Sequence, residues 1–130
     1  MTLTVTLLVA AAAVALNIWL SSRISALRQA HNVSVGDGGN EALLRRMRAQ
    51  ANYIENAPFF LILLGALELS GGNRLFLAGV SVIFLATRVA HAFGMDGGAA
   101  GRWRSVGMIG QTLALLGLAS YAAVVAILSL

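Results

Sequence analysis

The chain has 130 residues, 58% of them hydrophobic and only 11% charged, with a formal net charge of +4. A soluble domain carries about 25% charged residues, so this composition excludes an ordinary soluble globule, and its hydrophobicity excludes intrinsic disorder. There is no cysteine, which excludes a disulfide scaffold, a thiolate metal site and a protein-borne cysteine nucleophile; any thiol chemistry must arrive with a ligand.

Met1 to Ser22 holds no charged residue and is long enough to cross a bilayer, which takes about 20 apolar residues. It has no basic leading segment, so it reads as a retained helix over about residues 1–28 rather than a cleaved signal peptide. Arg23, Arg28 and His31 mark its emergence, and the glycine-rich stretch 33–40 reads as a loop. A second helix is expected over 41–69, with Asn40 as N-cap and a kink near Ile54 to Pro58. Ser70-Gly71-Gly72-Asn73 is a turn, 74–95 a third helix, 96–101 a loop, and 102–130 a fourth helix. On that last helix Gly107, Gly110, Ala114 and Gly117 offer a small-residue face for close packing. No repeat or linker divides the chain. The expectation is a single all-α integral membrane domain over 1–130, an up-down bundle of four transmembrane helices.

All nine basic residues are arginines. The first loop region holds Arg23, Arg28, Arg45, Arg46 and Arg48, the third Arg102 and Arg104, the second only Arg74. By the positive-inside rule loops one and three face the cytoplasm and both termini the opposite side. Arginines interleaved with apolar runs, with no aromatic-spaced basic patch, argue against nucleic acid as a partner.

The chemistry-bearing feature is a polar stripe on the second helix. Glu41, Arg45, Arg48, Asn52 and Glu55 recur at spacings of four and three. At 100° per residue they fall within roughly 80° of arc and extend about 21 Å into the bilayer. Charge at that depth must face a partner helix, another subunit or a wet cavity. A structural ion ladder within the stripe is one reading. Arg88 and His91 on helix three, and Arg102 and Arg104 at the start of helix four, favour a pocket for a hydrophilic polyanion beside a lipid-facing route. No cluster of residues has metal-ligand spacing.

The run Arg48-Ala49-Gln50-Ala51-Asn52-Tyr53-Ile54-Glu55-Asn56-Ala57-Pro58-Phe59-Phe60 resembles the signature of the MAPEG family, membrane-associated proteins in eicosanoid and glutathione metabolism. Arg88-Val89-Ala90-His91-Ala92-Phe93-Gly94 and Arg104-Ser105-Val106 are also similar to that family. The resemblance implies a bacterial inner-membrane homotrimer with glutathione bound between subunits near the cytoplasmic face. It implies glutathione contacts at Arg48, Asn52, Glu55, Arg28, Arg88 and His91, and thiol activation by Arg104. Arg102 competes for that role, but Arg104 immediately precedes Ser105-Val106 and lies nearer the apolar run.

The implied activity is a glutathione-dependent transferase or peroxidase acting on hydrophobic electrophiles or lipid peroxides among membrane lipids, through an arginine-stabilised thiolate. Asn56, His91 and Met95 stand where eicosanoid-type members carry tyrosine, which fits a bacterial-type member of unassigned substrate. Two other readings compete. One is a non-catalytic ligand-binding or structural membrane protein. The other is a small four-helix exporter, disfavoured because the first helix offers only Asn17 and the acidic residue of helix two lies beside arginines.

Overall fold

The computed structural model describes residues 2–130, and these form four α-helices. They are α1 (Thr4–His31), α2 (Glu41–Leu69), α3 (Arg74–Gly94) and α4 (Arg102–Leu128), with a 3-10 turn at Gly98–Gly101 before the last. The sequence predicts the first helix from residue 1; Met1 lies outside the described residues, and helical geometry begins at Thr4. The third helix stops at Gly94 rather than Met95, and part of the loop expected at 96–101 is the 3-10 turn.

Local chemistry fixes the helix ends. Asn40 accepts from the Leu43 amide at 2.9 Å and Asn73 from the Phe76 amide at 2.9 Å, so α2 and α3 each start on a side-chain cap. Asn32 takes the left-handed conformation at the end of α1, and the Val33 amide turns back to the Arg28 carbonyl. Proline lacks an amide donor, yet α2 runs unbroken through Pro58, whose ring sits on the exposed side.

α1 has no capping side chain of its own. Glu68, buried near the end of α2, supplies the missing acceptor. Its carboxylate receives the Val5 amide at 2.9 Å, and the Thr6 amide and Thr6 hydroxyl at 2.8 Å each. Arg74 stands 3.8 Å away as counter-ion. A carboxylate at a helix N-terminus satisfies orphan amides and opposes the helix dipole, which makes its burial tolerable.

The core is apolar. Phe60 and Phe84 stack with centroids 4.1 Å apart, among Leu64, Leu67, Leu77 and Leu118. The Tyr53 hydroxyl is satisfied by the Ala13 carbonyl at 2.7 Å, tying α2 to α1. α3 and α4 pack backbone to backbone. A Cβ at Gly94 would overlap the Arg104 backbone, one at Gly107 the His91 backbone and Cβ, and one at Gly110 the Thr87 side chain. Gly117, placed by the sequence on the same small face, takes no part in this contact, since a Cβ there would meet nothing within 4 Å.

Three helical segments, Thr4–His31, Arg74–Gly94 and Gly98–Leu128, are long and apolar enough to cross a membrane. α2 is not among them: its first half carries Arg45, Arg46 and Arg48, and its more apolar remainder still includes Asn52, Glu55, Asn56 and Glu68. Large apolar side chains such as Leu8, Ile18, Ile62, Val82 and Leu113 are well exposed on the outside of the bundle, a surface suited to lipid and not to water.

The α3–α4 contact generates a prediction. Gly107→Ala should destabilise the detergent-solubilised protein by about 1–3 kcal/mol through overpacking. Gly117→Ala should be neutral or stabilise slightly, because alanine is the better helix former and meets no neighbour. Thermal unfolding of the two variants beside the parent measures both.

Candidate functional site

At the end of the bundle carrying the first and third loops, α2, α3 and α4 diverge around a cleft of about 530 Å³. Arg48 and Asn52 line it from α2, and His91 with Met95 from the end of α3. Arg104, Ser105, Met108 and Ile109 line it from α4. The glycine contacts determine this arrangement. The Gly94 approach brings the first turn of α4, with Arg104, against the end of α3, and the Gly107 approach packs α4 on the backbone of His91.

No acidic residue lines the cleft. Among the described residues neither Arg48 nor Arg104 joins an ion pair. The cleft is therefore rich in cationic donors and lacks an internal counter-ion. A second hollow of about 500 Å³ adjoins it through Met95 and Arg104 and adds Arg45 and the glycines of the 97–101 loop. Arg45 is engaged there by Glu41, one turn earlier, at 2.6 Å.

The sequence-predicted residues separate into three groups. Arg48, Asn52, His91 and Arg104 come together in one cleft. Arg88 does not line it. It is 2% exposed, donates to Asn52 Oδ1 at 2.6 Å and to the Gly107 carbonyl, and reaches the cleft only through Asn52. Arg28 and Glu55 lie outside. Arg28 lines a different hollow between α1 and α2, with Met47 and Gln50, and donates to the Gly36 carbonyl at 2.7 Å. Glu55 is exposed on α2, beyond the cleft lining, and no ion pair joins it to Arg48 among the described residues. The ion ladder is thus confined to Glu41 and Arg45.

The geometry separates Arg102 from Arg104. Arg104 lines both hollows, whereas the Arg102 guanidinium sits 5.7 Å over the Trp103 ring and lines neither. Two positions apart on one helix they point about 200° from each other.

Sequence reading missed Asp96. Its carboxylate binds Arg23 of α1 and Arg46 of α2, and Arg46 also donates to the Arg23 carbonyl at 2.8 Å. Arg23 is further held between Trp19 and Phe93, about 5 Å from each ring centre. The α3–α4 loop, whose glycines line the adjoining hollow, is thereby tied to the two other helices. An aspartate beside glycines looks like turn chemistry, and nothing in the linear pattern links it to arginines 50 and more residues away.

The tie is testable. Asp96→Ala should cost about 1 kcal/mol, the scale of a partly exposed ion pair, and should speed amide hydrogen exchange in residues 95–101 more than in the rest of the bundle.

The sequence matches the MAPEG family over residues 6–124. It is 31% identical over 90 residues to the inner membrane protein YecN of Escherichia coli strain K12, and equally to YecN of Escherichia coli O6:H1 strain CFT073. Each alignment covers 69% of this chain and 68% of the relative. The family match spans the cleft-lining residues of α2, α3 and α4 together with most of α1, and on that ground this membrane protein belongs to the MAPEG family.

Proposed function

We propose that the protein is a membrane-embedded, glutathione-dependent transferase or peroxidase that conjugates or reduces apolar electrophiles. The observation that carries this reading is the unpaired Arg48 and Arg104 facing one cleft with Asn52 and His91, beside an apolar wall of Met95, Met108 and Ile109. Glutathione brings two carboxylates and a thiol, and arginine is suited to forked carboxylate recognition. Its thiol starts near the pKa of free cysteine, about 8.5, and a cation within ~4–6 Å lowers such a value by roughly 1–3 units. Arg104 lies in the first turn of α4, a terminus that no side chain caps, so guanidinium and helix dipole both favour a thiolate there.

The thiolate sulfur attacks an electrophilic carbon, forming a C–S bond as the leaving group departs with its electron pair. With a hydroperoxide it attacks the terminal oxygen and breaks the O–O bond, giving the sulfenic acid and an alkoxide that takes a proton from water to leave as the alcohol. A second glutathione then converts the sulfenic acid to the disulfide and water.

Assembly as a homotrimer completes the site in this reading. Arg28 and Gln50 share one hollow, while Arg48 lines another. Gln50 and Arg48 are two positions apart on α2 and point about 200° from each other. One protomer therefore cannot bring Arg28 to Arg104. A trimer in which the α1–α2 face of one protomer closes on the cleft of the next would do so, and would bring a ligand ammonium within reach of exposed Glu55. In this reading the protein lies in the bacterial inner membrane with α2 as a fourth span, and the arginine asymmetry of the loops supports loops one and three on the cytoplasmic side and both termini on the other.

Equilibrium titration of purified protein with glutathione, followed by thiolate absorbance, tests the reading. Arg48→Ala should weaken binding by about 1.5–3 kcal/mol, the scale of a charge-assisted hydrogen bond. Arg104→Ala should lose thiolate absorbance and turnover at pH 7 with a smaller change in affinity, and Arg102→Ala should change neither. Parent protein that binds glutathione without thiolate or turnover would reduce the function to ligand binding.

Site sharing has its own test. Trimers mixed from Arg28→Ala and Arg104→Ala protomers should recover intact sites and hence activity that neither variant has alone. Activity no higher than the average of the two pure variants would place each site within one protomer.

A further inference from the structure

Among the described residues Arg88 is the largest fully buried side chain, and no carboxylate partners it. One of its terminal nitrogens donates to Asn52 Oδ1 at 2.6 Å, the other donates to the Gly107 carbonyl, and its Nε has no partner among the described residues. A guanidinium has five donors and no acceptor. The Asn52 atom that faces it must therefore be the carbonyl oxygen. Turning the amide over would set two donors face to face and strip a buried cation of a partner, a costly arrangement.

The consequence falls on the other side of Asn52. With Oδ1 committed to Arg88, the amide nitrogen is the polar group left for the cleft that Asn52 lines. That nitrogen has no hydrogen-bond partner among the described residues, since the only other bond of Asn52 outside the helix ladder is its main-chain carbonyl accepting from Asn56. Arg48 and Arg104 line the same cleft, and the lining contains no carboxylate.

We infer that Arg88 holds Asn52 as an obligate hydrogen-bond donor toward the ligand, so that this position of the cleft reads an anionic acceptor, a carboxylate or a thiolate, and rejects an ammonium. The ligand class rests on the glutathione reading above; the donor sign rests on the Arg88 geometry alone. Arg88 is a positioning residue in this scheme. It acts on the ligand through Asn52, while its own charge adds to the positive field behind the cleft.

Asn52→Asp tests the inference because it is nearly isosteric and reverses the sign on one side only. Toward Arg88 the new carboxylate is a better partner, so the thermal midpoint of ligand-free protein should hold or rise. Toward the cleft a donor becomes a charged acceptor, so glutathione affinity should fall by about tenfold or more. A loss that persists with S-methylglutathione assigns the acceptor as a carboxylate, and one confined to the free thiol assigns it as the thiolate. Sulfate protection of the thermal midpoint is the thiol-free arm. Parent protein protected by sulfate and Asn52→Asp left unprotected supports the inference even where glutathione fails to bind, a failure that counts against the proposed function alone. Equal responses of the two proteins to glutathione and to sulfate, or a collapsed midpoint in ligand-free Asn52→Asp, overturn it.

Discussion

The closeness of α3 and α4 governs the rest of the molecule. Gly94, Gly107 and Gly110 let the two backbones meet where any side chain would overlap. That approach exposes the Gly107 carbonyl to Arg88, seats α4 on the backbone of His91, and delivers Arg104 beside the end of α3. In lipid no hydrophobic effect drives helix association, so close van der Waals packing and interhelical hydrogen bonds must hold the bundle together. The same three glycines meet that requirement and shape the cleft.

Charge is handled differently at three depths. At the end holding the chain termini, the buried Glu68 carboxylate is satisfied by α1 amides and by Arg74. At the opposite end Asp96 gathers Arg23 and Arg46 and ties the α3–α4 loop to α1 and α2. Between them Arg88 is buried with neutral acceptors only. A cation so placed is tolerated because two of its nitrogens are bonded, and it biases the neighbouring cleft toward anions. The two carboxylate clusters tie helices together, whereas Arg88 touches the cleft only through Asn52.

The cleft combines unpaired cations with an apolar wall at one mouth. The function proposed above takes its two requirements, an anionic group and an apolar co-substrate, from that combination. His91 and Met95 contribute an imidazole and a thioether to the cleft lining, and Ser105 is its one hydroxyl-bearing side chain among the described residues.

Much of the fold was legible in the chain. Uncharged stretches marked the helices, Asn40 and Asn73 marked two of their starts, and the four-and-three spacing on α2 placed Arg48 and Asn52 on one face. Those features are local, set by helix period and hydropathy. Long-range pairing decided the remainder. Arg88 and Arg28 carry the same side chain, yet one is sealed against Gly107 and the other opens on the α1–α2 hollow. Gly107 and Gly117 look alike on the helix, yet only the first lies against α3. Arg102 and Arg104 differ in role through the direction in which the first turn of α4 presents them. The sequence by itself determined four helices, the apolar character of a membrane protein and the arginine and amide side chains available to a site. Only the tertiary structure decided which of those residues share a cleft and which orient others, because burial and hydrogen-bond partnership are fixed by neighbours distant in the chain.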